Sequence, residues 1–302
     1  MMSRISRMGI ICVISLNGCT ASPITPTNNP PPKVFYPIVT AGGSLNLSTI
    51  DRYNTLAVYV PEASGAPNSG TIVEGLLTTF FISNEIAVIE RAQLRRVLDE
   101  QAVQLQHGDE AAELPRIGRI AGAKAIVLGT ITEWKEAKVL GRVLSSVSLG
   151  FKIIDAENGA ILFNGQAHYP VALVSPANRV AELLVLNLVV HFGASLGSRG
   201  WAGVAWKLAE VDGRPTAVIT RVYPDTPAAS GGLKTGDLLV SCNGRLSENW
   251  KSEWQSMREC RAEPGQQVLF QVKRGNETLS VTMTAQDVVQ WAREKTAVKV
   301  TP

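Results

Sequence analysis

The run Pro227-Ala228-Ala229-Ser230-Gly231-Gly232-Leu233-Lys234-Thr235-Gly236-Asp237-Leu238-Leu239, followed by Asn243-Gly244, constrains this chain more than any other stretch. Pro-Ala-Ala opens a short apolar turn of helix. A glycine pair and one leucine to be buried come next. Gly236-Asp237 forces a turn, and Leu238, Leu239 and Val240 read as a strand. Asn243-Gly244 closes that strand with two residues that tolerate positive φ.

Those residues resemble the PDZ pattern of bacterial periplasmic proteins. One departure is Ser230-Gly231, where the family carries one more small residue and then alanine. Gly200-Trp201-Ala202-Gly203-Val204 resembles the PDZ loop whose backbone N–H groups converge on the carboxylate of a bound chain end, with Ala202 where leucine is common. Glycine lets the backbone approach the anion, and a nest of amides holds negative charge without a cation. The resemblance implies that Val204-Ala205-Trp206-Lys207-Leu208 is the bare edge to which a peptide adds as a strand. It makes the helix around Asn249–Arg261, with Trp250, Trp254, Met257 and Cys260 at helical spacing, the facing wall. The residues it assigns to peptide binding are Trp201, Ala202, Gly203, Val204, Ala205, Trp206, Trp254 and Met257. Trp254 and Met257 read equally well as core, because such a helix has a core face and a groove face. Val268–Val272 and Leu279–Met283 alternate apolar residues around a turn at Arg274-Gly275-Asn276 and close the domain as a hairpin. The domain spans residues 198–286. A tail of 287–302, with Trp291 and Val298-Lys299-Val300, is free to enter the groove of its own or a neighbouring chain.

The N-terminus addresses the compartment. Arg4 and Arg7 precede a short apolar run, Met8 to Leu16, then Leu16-Asn17-Gly18-Cys19. A basic start, a run too short to span a bilayer and a small residue before the cut define a secretory signal over residues 1–18. Leu-x-Gly-Cys resembles the lipobox of bacterial lipoproteins, which implies lipid on Cys19 and more than one acyl chain as anchor. Thr20 in place of aspartate implies, by the same resemblance, the outer membrane and a periplasm-facing body. Residues 19–49 are rich in Pro, Asn, Ser and Thr, including Asn29-Pro30-Pro31-Pro32, and read as an extended tether with few contacts.

Residues 50–192 read as an α/β domain. Thr55–Val60 is a strand, and Ile72, Leu76, Leu77 and Phe80 stripe a helix that starts at Gly70. Ile86–Ile89 is a second strand. A helix with Leu94, Val97, Leu98 and Val103 on one face follows, then a third near Ala111–Ile120. Strands at Ala125–Ile131, Val143–Ile154 and Ala160–His168 lead to a last helix, Pro176 to Phe192. The order β-α-β-α-α-β-β-β-α makes an α/β sandwich with helices on a mixed sheet. The residues Val88-Ile89-Glu90-Arg91, Leu94, Val97-Leu98, Glu100-Gln101, Gly122–Thr130 and Ile153–Gly159 resemble the CsgG-type curli-assembly lipoprotein family. Pro115 departs from its pattern. The resemblance brings a pore subunit and a ring-like homo-oligomer into consideration. Pore hairpins need about twenty residues, whereas Lys135–Leu144 is short and carries Lys135, Lys138 and Arg142. A periplasmic domain without its own pore is therefore expected.

Several functions are excluded or made secondary. Net charge is +3 with scattered basic residues, so no nucleic-acid footprint appears. His107, His168 and His191 stand apart, no cluster has zinc spacing, and no Gly-rich phosphate loop occurs, so neither metal nor cofactor is expected. Gly193-Ala194-Ser195-Leu196-Gly197 matches G-x-S-x-G, which makes a divergent serine hydrolase the rival enzyme. That motif works only between a strand and a helix, and here it follows a helix. Cys242 and Cys260 allow either a disulfide or two buried thiols acting as small hydrophobes. The thiol reading is favoured because both stand where PDZ domains place aliphatic core residues. The expected function is non-catalytic capture of a C-terminal or internal peptide of an envelope protein, within an assembly or secretion system.

Overall fold

The computed structural model describes residues 33–46, 49–83, 86–89, 96, 118–197, 199–211, 213–251 and 253–300. The chain opens with two strands, β1 (Lys33–Phe35) and β2 (Ile38–Gly43). β3 (Thr55–Tyr59), α1 (Ser69–Ser83) and β4 (Ala87–Ile89) follow. Then come β5 (Ala125–Val139), β6 (Arg142–Asp155), β7 (Ile161–His168) and α2 (Ala177–Ser195). The sheet order is β2-β7-β6-β5-β3-β4. β3 runs parallel to β4 and β5, and the other neighbours are antiparallel, so the sheet is mixed.

Apolar residues of α2 recur at Val180, Ala181, Leu184, Leu188 and Phe192, all buried. That helical stripe lays α2 on the sheet beside α1. Phe81, Phe151, Phe163 and Phe192 meet there, with neighbouring ring centroids 5.0 to 6.5 Å apart. Gly165 permits the contact, because a Cβ there would stand 3.0 Å from Leu188 Cδ2. α2 is the one helix among the described residues long and apolar enough to cross a bilayer, and it is half buried in this core.

The second half holds β8 (Gly200–Trp201), β9 (Val204–Val211), β10 (Arg214–Val222) and α3 (Pro227–Ser230). β11 (Leu238–Cys242), β12 (Arg245–Leu246), α4 (Glu253–Glu259), β13 (Gln267–Arg274) and β14 (Glu277–Thr284) complete it. The antiparallel sheet β14-β13-β11-β10-β9 carries β12 on β11, and it ends at β9. The opening motif folds as read. Thr226 caps α3, Leu233 is buried, and Gly236, Asn243 and Gly244 take positive φ of 92, 50 and 79°. Asp237 accepts from Lys234 N–H and from Arg274, whose guanidinium holds the carboxyl below its usual range.

The chain ends with β15 (Gln286–Asp287), α5 (Val288–Lys295) and β16 (Val298–Val300).

Four expectations are corrected. Residues 33–46 are not tether: β2 pairs along β7 from Ile38↔His168 to Gly43↔Phe163, and Leu45 enters the core. The tail from 287 does not lie in a groove. Asp287 caps α5, which packs on α2, and β16 pairs with β1, so the described ends of the chain are zipped together. The span Lys135–Leu144 is not a connection. β5 and β6 run through it to a two-residue turn, Leu140-Gly141, both at positive φ. The helix expected over Asn249–Arg261 shrinks to α4, and Trp250 precedes it, buried in the core. The helices expected from Glu90 and near Ala111–Ile120 lie outside the described residues, apart from helical positions at Arg96 and 118–121.

One buried polar network fastens the tail. Asn187 Nδ2 donates to Thr296 Oγ1 at 2.8 Å, and Tyr169 Oη donates to Thr296 O at 2.7 Å. Tyr169 is 6% exposed. Burial pushes its phenol up to about 12. Between the ordinary tyrosine pKa, about 10, and that value the unfolded chain loses a proton that the folded chain keeps, so stability present below pH 10 is lost as pH rises. From pH 10 to 12, urea unfolding of the wild type should lose about 2 kcal/mol more than that of Tyr169→Phe. Equal losses would contradict the buried phenol.

Candidate functional site

The loop between β8 and β9 is held by its carbonyls. Ala202 O accepts from Ala228 N–H at 2.8 Å, and Gly203 O accepts from Tyr223 N–H at 2.9 Å. Among the described residues no acceptor lies against the N–H of Ala202 or of Gly203. Gly203 sits at φ +94°, and a Cβ there would fall 2.2 Å from Thr226 Cβ and Oγ1. Only glycine fits. Thr226 is 2% exposed, and its hydroxyl donates to Tyr223 O at 2.6 Å, fixing the turn behind the loop.

The loop is buttressed on its far side. Trp201 pairs with Gln286 across β8–β15, and its ring packs edge-on against Tyr223 and Trp291 at 4.9 and 4.8 Å. Its indole N–H donates to Val204 O at 3.2 Å. Arg199 bonds Asp287 beside it. Burial alone would raise the Asp287 carboxyl, but the guanidinium and the N–H groups of Val289 and Gln290 outweigh it and hold it low.

β9 is the terminal strand of its sheet, so among the described residues no strand lies along one edge of Val204–Val211. Trp206 lies between β9 and α4, with its indole N–H on Ser256 Oγ at 2.7 Å. A cavity of about 500 Å³ opens beside the loop, within the range of small ligand pockets. Trp201, Ala202, Val204, Ala205, Trp206 and Phe270 contribute to its lining. Unpaired amides, an apolar chamber and a bare strand edge can receive an anionic chain end and the strand that leads to it.

Among the expected binding residues, the structure thus gathers Trp201, Ala202, Gly203, Val204, Ala205 and Trp206 at one place. Trp201 supports the loop through its ring, and Ala202 belongs to the buried core. The side chains of Trp254 and Met257, and the whole of Cys19, lie outside the described residues. Sequence reading missed Thr226, Tyr223 and the Arg199–Asp287 pair, and it gave Trp291 to a tail free to enter a groove, whereas the ring packs behind the loop on Trp201. Thr226 before Pro227 carried a readable helix-cap signal; the others act only through the fold. Ser195 ends α2, and its hydroxyl donates to Phe192 O at 2.7 Å, so it is no nucleophile elbow. Among the described residues no group of His, Cys, Asp or Glu could hold a metal.

This geometry defines a two-domain protein: an α/β sandwich followed by a small β-rich domain with an open edge groove. Residues 61–163 match the family model described as curli production assembly/transport component CsgG, and residues 202–284 match the PDZ domain. The chain therefore carries a CsgG-type domain followed by a PDZ domain. Neither domain type is catalytic. The zinc metalloprotease RasP of Geobacillus kaustophilus is 36% identical over 67 residues, 22% of this chain. The chain spans 15% of that relative's length, and its likeness to proteases is confined to the PDZ region. Among solved structures, the PelC dodecamer from Paraburkholderia phytofirmans is 18% identical, covering 51% of this chain and 94% of that one, with a TM-score of 0.36. Lipoprotein GNA1162 from Neisseria meningitidis is 15% identical, covering 47% and 99%, with a TM-score of 0.36.

Cys242 on β11 and Cys260 after α4 form a disulfide, with Cα atoms 5.5 Å apart, which corrects the reading as two thiols. The bridge ties α4 to the sheet, and Cys260 lines the cavity. It closes a loop of sequence separation 18, so its loss should cost about 3 kcal/mol of unfolding free energy. Alkylation of the urea-unfolded protein without reductant should leave both cysteines unlabelled. Labelling of both would contradict the bridge.

Proposed function

We propose that this protein is a non-catalytic docking protein of the cell envelope, whose PDZ domain receives the free C-terminal end of another envelope protein. Lipid on Cys19 would anchor it to the outer membrane with the folded body facing the periplasm. The carrying observation is the pair of unpaired N–H groups at Ala202 and Gly203, set beside an apolar cavity and the bare edge of β9. A carboxylate accepts both amides, its last side chain enters the cavity, and the preceding residues extend β9 by main-chain bonds. The disulfide supports an oxidising compartment. The lipobox-like Leu16-Asn17-Gly18-Cys19 supports the anchor.

Chemical change in the ligand tests this with the protein untouched. Fluorescein-labelled heptapeptides ending in Val, Leu, Ile or Phe are titrated with the full chain, each as free acid and as C-terminal amide. At least one free acid should bind, and its amide at least tenfold more weakly, because the amide loses a charge-assisted contact. No binding, or equal binding of acid and amide, overturns the reading.

A further inference from the structure

The cavity beside the loop is not a property of the PDZ domain alone. Its other wall comes from the first domain. Val190 and Gly193 of α2, Leu196 just after it, and Phe80 and Ser83 at the end of α1 face the same space as Val204 and Trp206. We infer that the apolar last residue of the bound chain is gripped by both domains at once. The inference rests on the docking role proposed above and adds the second domain that grips the terminal residue.

The chemistry of the wall supports a hydrocarbon side chain. Phe80, Val190 and Leu196 offer only apolar surface. A helix C-terminus ordinarily presents free carbonyls that repel a carboxylate, but here those of Phe192, Gly193 and Ala194 are engaged. Phe192 O accepts from Ser195 Oγ at 2.7 Å and from Leu196 N–H at 3.2 Å, and Ala194 O accepts from Gly197 N–H at 3.0 Å. The unpaired donors on the loop are the N–H groups of Ala202 and Gly203. The anion therefore goes to the loop and the side chain towards α2. A terminal leucine or phenylalanine buries more apolar surface against these walls than a terminal alanine does. The described part of the chain's own tail is not the occupant, because Val298–Val300 is already paired with Lys33–Phe35.

Gly193 supplies a clean test. A Cβ at this helical position meets nothing within 4 Å. A larger residue there should enter the cavity without disturbing the core, and it removes a helix-weakening glycine. In the full chain, Gly193→Phe should keep its melting temperature. It should weaken the fluorescein-labelled free-acid heptapeptide ending in Leu at least tenfold and narrow its advantage over one ending in Ala. Ser83→Phe, at an exposed position on the other helix, should do the same in a smaller degree and carries the test if Gly193→Phe does not fold. Folded variants that bind the Leu peptide like the wild type overturn this inference while leaving the docking role intact. A wild type that does not distinguish free acid from amide overturns both.

Discussion

The structure around the groove depends on a division of labour within two peptide units. At Ala202 and Gly203 the carbonyls are spent on Ala228 and Tyr223, while the N–H groups are left over. Backbone groups inside a fold are rarely left without a protein partner, and these two N–H groups remain available to whatever enters the cavity beside them. Here the loop is held by rigid surroundings: Thr226 packed under Gly203, the rings of Tyr223 and Trp291 behind Trp201, and a strand pair with Gln286. A loop held from behind on so many sides does not relax to satisfy its own amides. In the docking role proposed here, a ligand carboxylate does so instead.

The support behind the loop also links the two domains. The segment that buttresses the loop, β15 and α5, continues into Thr296, which is locked to Asn187 and Tyr169 of the first domain, and into β16, zipped to β1. The PDZ loop is thus supported by an element anchored elsewhere. Anything that binds in the cleft meets both bodies, and its binding free energy stabilises their mutual arrangement by linkage.

Much of this was legible in the sequence, and for physical reasons. Gly203, Gly236, Asn243 and Gly244 mark positive φ, which few other residues tolerate. The apolar runs at Thr55–Tyr59 and Arg142–Asp155 and the stripe on α2 announced the first sheet and its helix. What was hidden depended on partners far away in the chain. Ile38–Gly43 is short and sits among prolines and threonines, so composition spoke for a tether; only pairing with β7 makes it a strand. Asp287 caps a helix whose reason to exist is a buried bond to Asn187, 109 residues away from Thr296. The Cys242–Cys260 spacing fits a bridge or two core thiols alike, and the fold decides it. The α2 wall of the cavity belongs to a different domain, and no local pattern could show it.

The unpaired state of the two loop amides is open to direct measurement by amide hydrogen exchange, residue by residue, in the ligand-free full chain. The account predicts that the N–H groups of Ala202 and Gly203 exchange orders of magnitude faster than those of Ala228 and Tyr223, which are bonded to the same loop, and slow down when a free-acid peptide binds. Slow exchange at Ala202 and Gly203 in the absence of any ligand would mean that the fold already satisfies them, and it would contradict the account.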